Sequence, residues 1–391
     1  MNYHAVILHK GKEVALKRMH PWVFSGAIKV LPDQIKEGDV VKITEPNGNF
    51  LAMAYYATGS IALRVLSFEE TEINVDFWIK KLTKAWEYRK HINCLNNRTN
   101  VFRLFFGEGD GASGLIIDYY DGHLVLQAHS YGIYLQRALI AEALITIFGN
   151  KIKSIFDKSS ETLPKQFAGQ SKNEFLFGSL KDKVIVKENN HLFQIDFING
   201  QKTGFFIDQR ENRLLLQDYC KNKMVLNTFC YTGGFSIYAA KTATEVHSID
   251  VSAKAIKLCE ENGELNAITN QKCYAQDTFD FLKDKANIYD VIVLDPPAFA
   301  KNRSSKHNAV IGYKRLNAMA LKLIKPNGIL FTFSCSGVVD KNLFYNTIVA
   351  AALEAKRNVK LLHYLNQPPV HPVTPNFPEG EYLKGIVLFV E

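Results

Sequence analysis

The sequence predicts an α/β protein built around a parallel sheet in its C-terminal half, with a β-rich domain and a small α+β domain ahead of it. Three observations carry this. From about Lys223 onward, short apolar strands alternate with helical segments, the pattern of strand–helix crossovers. Up to about Glu70 the chain reads as short strands separated by turn signals. Between about Val75 and Val186, two amphipathic helices and two strands alternate without a regular crossover. The expected division is residues 1–72, 73–187 and 188–391.

In the first part, Val40 to Ile43 runs into Glu45-Pro46-Asn47-Gly48, whose Asn-Gly pair is a strong hairpin signal. Phe50 to Tyr56 and Ile61 to Leu66 are the next expected strands. In the second part, Phe77 to Asn93 is an expected helix with a basic face (Lys80, Lys81, Lys84, Arg89, Lys90). Leu115 to Asp118 and Leu124 to Gln127 are expected strands about Asp121-Gly122, and Leu135 to Phe148 is a second helix. Glu188-Asn189-Asn190 is the turn of a hairpin leading into the third part.

The third part opens with a strand at Met224 to Leu226 and a helix at Phe235 to Ala240. A strand at Val246 to Ile249 precedes a helix from Ala253 to Asn266, capped by Ser252. Val291 to Leu294 and Ile329 to Phe333 are continuous apolar runs, as strands buried on both faces require. Val359 to Leu365 and Gly385 to Val390 close the chain.

Composition narrows the function classes. The chain has 391 residues, 47% of them hydrophobic, and a formal net charge of +8, a balance that favours a polyanionic partner. No apolar run approaches the roughly 18 residues of a membrane helix, and the N-terminal segment does not read as a signal peptide. Six scattered cysteines form no C-x-x-C pair, so neither a zinc site nor a disulfide framework is indicated.

Ligands of an open parallel sheet sit beyond the carboxyl ends of its strands, so the residues there are the informative ones. After the first strand comes Asn227-Thr228-Phe229-Cys230-Tyr231-Thr232-Gly233-Gly234, where the glycines admit a ligand close to the backbone. Asp250 follows the second strand, placed to accept from ribose hydroxyls. Asp277 and Thr278 follow the third, where a carboxylate can take an adenine amino group or simply cap the next helix. Asp295-Pro296-Pro297-Ala298-Phe299 follows the fourth, an acid on a turn stiffened by prolines and suited to a planar base. Cys335 follows the fifth, between Ser334 and Ser336.

These elements, in this order, resemble the Rossmann-like class I S-adenosylmethionine-dependent methyltransferases. More closely, the chain resembles the large-subunit ribosomal RNA cytosine-C5 methyltransferases that carry an N-terminal PUA domain. The blocks that carry the resemblance are Lys17 to Phe24, Phe106 to Gly111 with Gly114-Leu115-Ile116, Gly200 to Arg213, and Phe377 to Gly385. It implies that Asn227, Thr228, Phe229, Tyr231, Thr232, Gly233, Asp250, Ser252, Asp277, Thr278, Asp295 and Pro296 surround S-adenosylmethionine. It also implies that Lys202 and Arg210 lie near its amino-acid end. One departure is that Asn227 and Phe229 stand where the commoner class I loop has an acid and more glycines.

Cytosine C5 is a poor nucleophile until a thiolate adds to C6, so Cys335 is the expected nucleophile, with a pKa lowered by its site. Asp295 would hold the N3/N4 edge, and no residue presents itself as acceptor of the C5 proton. Pro296-Pro297 occupies the place where many such enzymes carry a second cysteine, so one cysteine must suffice. Lys17, Arg18 and Trp22 are the expected RNA contacts, joining charge to a stacking surface. The expected partner is ribosomal RNA, in the cytoplasm, with no membrane and no metal; a homodimer is left open. Two other readings remain: methylation of a base nitrogen of RNA without a covalent intermediate, or a non-catalytic RNA-binding assembly factor. A nicotinamide dehydrogenase would need the G-x-G-x-x-G fingerprint that Asn227 to Ser236 lacks.

Overall fold

The computed structural model describes residues 3–283, 288–300 and 302–391. The chain divides into two compact units. The first takes Met1–Val186, Ile195–Phe205 and Pro369–Gly380, and the second takes Lys187–Gln194, Phe206–Pro368 and Glu381–Glu391.

The first unit contains two sheets. The N-terminal one has six strands in the spatial order Trp22–Phe24, Ile61–Ser67, Phe50–Tyr56, Val40–Thr44, Ala5–Leu8, Ile28–Val30. Side chains of a strand alternate between faces, so Val41 with Ile43, Ala52 with Ala54, and Leu63 with Val65 share one buried face and form its core. The second sheet has five strands, ordered Glu174–Gly178, Ser154–Asp157, His123–Ala128, Leu115–Tyr120, Val101–Phe106. The helices Val75–His91 and Tyr131–Phe148 pack on each other beside it, capped by Asn74 and Ser130, which accept from Phe77 N and Ile133 N.

The second helix corrects the expectation that no segment is long and apolar enough to cross a membrane. Tyr131–Lys151 passes by length and hydropathy, because an all-round apolar helix suits either a bilayer or a core. Here Ile133, Ile140, Ala143 and Leu144 are fully buried, which makes it a core helix of this unit.

The second unit is built on a seven-stranded sheet. Its spatial order is Gln271–Ala275, Glu245–Asp250, Met224–Thr228, Tyr289–Leu294, Ile324–Ser334, Lys384–Val390, Val359–Leu365. Counted in chain order this is 3-2-1-4-5-7-6, and Lys384–Val390 alone runs antiparallel to its neighbours. The order reverses between Met224–Thr228 and Tyr289–Leu294, the switch point at which a crevice opens. Apolar side chains cover both faces. Leu226, Ile292, Leu294 and Leu330 pack on one side with helices Lys306–Leu323 and Lys341–Ala355. Val225, Val291, Val293 and Phe331 pack on the other with helices Arg210–Tyr219 and Gly234–Ala240. Asn189 and Asn190 both take left-handed backbone conformations, φ 49° and 67°, as a two-residue hairpin turn requires.

Candidate active site

Register brings the strand ends of the second unit to one level. Thr228 pairs with Leu294, and Leu294 pairs with Thr332, so the loops after three adjacent strands start side by side. Ile249 pairs with Thr228, and Asp250 with Ala275, which extends the same rim to two more strands.

The loop after the first strand is tightly wound. Phe229, Tyr231 and Gly233 have φ of 53°, 47° and 82°. Left-handed conformation costs a non-glycine residue free energy, so two such residues in one loop are held by their surroundings. Cys230 N donates to Ile249 O, Gly233 N to Cys230 O, and Tyr231 N to Asp250 Oδ2 at 3.0 Å. A side chain at Gly233 would meet Cys259 Sγ at 2.5 Å, so that position admits only glycine. Thr228 Oγ1 donates to Val293 O, tying the loop's start to the fourth strand, and Thr232 O accepts from Asn262 Nδ2. Beneath, Asn227 Nδ2 donates to Ser236 Oγ, while Asn227 Oδ1 is buried with no hydrogen-bond partner among the described residues.

Asp250 Oδ1 accepts from Ser252 N at 2.9 Å, and Ser252 Oγ in turn accepts from Ala255 N as cap of helix Ala253–Leu265. Each Asp250 oxygen keeps a further lone pair, an acceptor set that suits the two hydroxyls of a ribose. This acceptor set fits the ribose of an adenosyl group.

The next two loops hold a different chemistry. Asp295 is partly buried, and burial together with the neighbouring Asp208 carboxylate pushes it up to about 7. Gln209 Nε2 donates to Asp295 Oδ1 at 3.1 Å, and Asn212 Nδ2 donates to Gln209 Oε1 at 2.7 Å. Tyr382 Oη donates to Asp208 Oδ2 at 2.6 Å, while Asp208 Oδ1 is buried with no partner among the described residues. Cys335 lies at the end of the fifth strand. Burial first, then the charges of Asp295 and Asp208, push its thiol up to about 11; the Lys384 ammonium pulls the other way. The expected lowering of this thiol is therefore corrected: burial, reinforced by two carboxylates, outweighs one cation. Lys384 is buried, and Nζ donates to Ser336 O at 2.8 Å and Tyr382 O at 2.7 Å.

Other expected site residues stand differently. Arg210 is buried and pairs with Glu211, Nη2 to Oε1 at 2.9 Å. Asp277 is exposed, and Oδ1 accepts from Asp280 N, so it caps the short helix Thr278–Lys283. Pro296 is buried beside Asp295. Lys202 belongs to the first unit, where it is exposed with φ 52°. Lys17 and Arg18 are exposed in that unit, Lys17 paired with Glu45. Trp22 is not an open stacking surface. Its Nε1 donates to Glu108 Oε1 at 2.8 Å and Ser113 Oγ at 3.1 Å, and its ring meets Phe377 edge-on at 4.7 Å.

Asp208, Gln209, Tyr382 and Lys384 went unassigned from sequence. All four lie inside the two blocks quoted for the resemblance, Gly200 to Arg213 and Phe377 to Gly385, and a charge or amide there reads as a solvated turn until the strand ends are assembled.

Comparison with known proteins accords with this arrangement. Residues 154–387 match the family described as S-adenosylmethionine-dependent methyltransferase, and residues 6–68 match a PUA-like domain. The ribosomal RNA large subunit methyltransferase I of Aeromonas hydrophila is 38% identical over 394 residues, covering 98% of each chain. Its counterpart in Vibrio cholerae is 38% identical over 391 residues, covering 97% of this chain and 98% of the relative. Among solved structures, a protein from Streptococcus mutans described as a SAM-dependent methyltransferase superposes with a TM-score of 0.84. It is 23% identical and covers 99% of this chain and 100% of its own, a likeness of fold.

Proposed function

The chain belongs to the S-adenosylmethionine-dependent methyltransferase family, and from that premise we propose that it methylates C5 of a cytosine in large-subunit ribosomal RNA through a covalent adduct on Cys335. The observation that carries this is the placement of Cys335 and Asp295 at the ends of adjacent paired strands, close enough for the carboxylate to act on the thiol. A reactive sulfur and a protonated acid on one rim are what a pyrimidine needs to be attacked at C6 and polarised at N3. The large-subunit assignment comes from the names of the relatives, and the PUA-like domain supports an RNA substrate.

In this reading Asn227, Thr228, Phe229, Tyr231, Thr232, Gly233, Asp250 and Ser252 hold the adenosyl group, with Asp250 accepting from its ribose. Asp277, Thr278 and Pro296 line the adenine side, and Arg210 serves the amino-acid end. S-adenosylmethionine supplies an electrophilic methyl on a cationic sulfur. Asp295, near pH 7 still half protonated, donates to N3 and makes C6 electrophilic. Cys335 adds to C6 as its thiolate, favoured by the Lys384 ammonium and by cationic charge at the donor. Residues 1–72, with Lys17 and Arg18, help hold the RNA, and residues 188–391 catalyse. The enzyme works in the cytoplasm on a base that is unpaired or flipped from its stack.

The raised Cys335 thiol favours one second reading, methylation of a base nitrogen, which needs no nucleophile. Mapping 5-methylcytosine in large-subunit RNA from cells with and without the gene separates the two. A methylated cytosine lost with the gene supports C5 chemistry; a lost N-methyl base with C5 unaltered overturns it. In vitro, Cys335→Ala retaining turnover would end the covalent mechanism.

A further inference from the structure

We propose that Asp208 is the base that removes the proton from C5 after methyl transfer, with Tyr382 positioning it. This rests on the C5 reading above and supplies the step that reading leaves without a residue.

The geometry supports it in three ways. Asp208 sits in the turn Ile207–Gln209, next to Gln209, whose amide holds Asp295. Its carboxylate lies near enough to Asp295 and Cys335 to raise the pKa of both. Its two oxygens are differentiated: Oδ2 takes the Tyr382 hydroxyl proton at 2.6 Å, and Oδ1 is buried and has no partner among the described residues. A buried carboxylate oxygen without a donor is costly unless a ligand supplies one.

Chemistry narrows the choice further. Methyl donor and thiol must approach opposite faces of the ring, so after transfer the C5 hydrogen lies on the sulfur's face. The acceptor must therefore be near Cys335. Of the groups that act on that thiol, Asp295 is occupied with N3 and Lys384 is a cation that donates to two carbonyls. The Tyr313 hydroxyl also lies near the thiol, but burial pushes its pKa up to about 12 and it keeps its proton, so among the described residues Asp208 remains. The step balances: Asp208 takes the C5 proton, the C–H electron pair forms the C5=C6 bond, and the C6–S pair returns to Cys335 as thiolate. The N3 proton returns to Asp295.

The test uses the full-length enzyme, S-adenosylmethionine and transcribed large-subunit RNA tritiated at cytosine C5. Asp208→Asn should still form the methylated adduct but release it at least a hundredfold more slowly. A denaturation-resistant enzyme–RNA band should accumulate, absent in the Asp208→Asn, Cys335→Ala double variant, and tritium release should fall behind methyl incorporation. Tyr382→Phe should accumulate the same band to a smaller extent, and serves if Asp208→Asn does not fold. Asp208→Asn releasing tritium in step with methylation overturns the proposal, as does loss of methylation without adduct in both variants. RNA carrying 5-fluorocytosine is the control for the underlying reading, since fluorine at C5 cannot leave as a proton. Wild-type enzyme trapped on that RNA upholds C5 chemistry whatever Asp208 does; failure to trap it removes C5 chemistry and the role of Asp208 together.

Discussion

Gln209 and Asp295 are joined by one hydrogen bond, 3.1 Å from Nε2 to Oδ1, and its direction is fixed from behind. Asn212 donates to Gln209 Oε1, so the Gln209 amide presents its NH2 to the acid and not its oxygen. Oδ1 of Asp295 is thereby committed as an acceptor, and a proton on this acid resides on Oδ2. A flexible carboxyl becomes an acid with one donating oxygen.

This relationship predicts a pH dependence. If Asp295 must carry a proton and Cys335 must lose one, with values of about 7 and about 11, kcat/KM rises with pH up to about 7 and then levels off, because each further gain in thiolate is offset by loss of the protonated acid. The Gln209 amide stabilises the ionised form, so Gln209→Met should raise the Asp295 pKa and move that break to higher pH. The loss of about 1 kcal/mol corresponds to a shift of roughly 0.7 pH unit. A pH–rate profile of both proteins checks it; a break that does not move, or moves down, removes Asp295 as the proton carrier.

Asp295 should also weaken the fold at high pH. Its folded pKa, about 7, lies above the ordinary 3.8, so between those values the folded protein binds the extra proton. Stability therefore falls as pH rises from about 4 to 7, and the cost is fully present above 7. Asp295→Asn cannot ionise and should melt a few degrees above wild type at pH 8, with the gain shrinking toward pH 5. Thermal melts across that range measure it, and a gain independent of pH would contradict the buried-charge account.

The inner strands of the C-terminal sheet were legible because burial on both faces leaves an unmistakable run. Val291 to Leu294 was expected and Tyr289–Leu294 is found; the mostly exposed edge strand Val359–Leu365, which has no such burial, also matches to the residue. Helices Lys306–Leu323 and Lys341–Ala355 were not foreseen. The first starts at Ser305 with no side-chain cap, and its buried positions include Asn317 and several alanines, so its apolar stripe is faint. The site was legible as strand ends, which placed Asp250, Asp295 and Cys335. The partners of these residues were not, since Gln209 lies 86 positions from Asp295 and Tyr382 lies 174 from Asp208. Contacts of that separation leave no local pattern. Trp22 was misread for the same reason, its indole N–H being taken by Glu108 and Ser113 far along the chain.

A buried ion pair supports the turn that carries Asp208 and Gln209. Arg213 donates from Nε and Nη2 to the two oxygens of Glu188 at 2.9 and 2.8 Å, and from Nη1 to Phe206 O at 2.9 Å. Tyr238 Oη also donates to Glu188 Oε1. Both charged side chains are almost wholly buried, so Glu188→Leu leaves an uncompensated cation and should cost about 3–5 kcal/mol. Adding Arg213→Met should recover much of that loss. Urea unfolding of the two single variants and the double variant measures the coupling; strictly additive losses would refute it.

Asp250 offers the sharpest test of the cofactor crevice, because its structural and binding roles predict different patterns. Its oxygens accept from Tyr231 N and Ser252 N, which closes the loop onto the end of the second strand. If the remaining lone pairs accept from a ribose, Asp250→Ala should weaken S-adenosylmethionine binding about tenfold to a hundredfold, the range for lost hydrogen bonds to a charged group. Adenosine alone should lose affinity by a similar factor, since the ribose is common to both, whereas 2′,3′-dideoxyadenosine should bind wild type and variant alike. Calorimetry with the three ligands supplies the comparison. Equal losses for all three would mean that Asp250 only shapes the loop and that the ribose is held elsewhere.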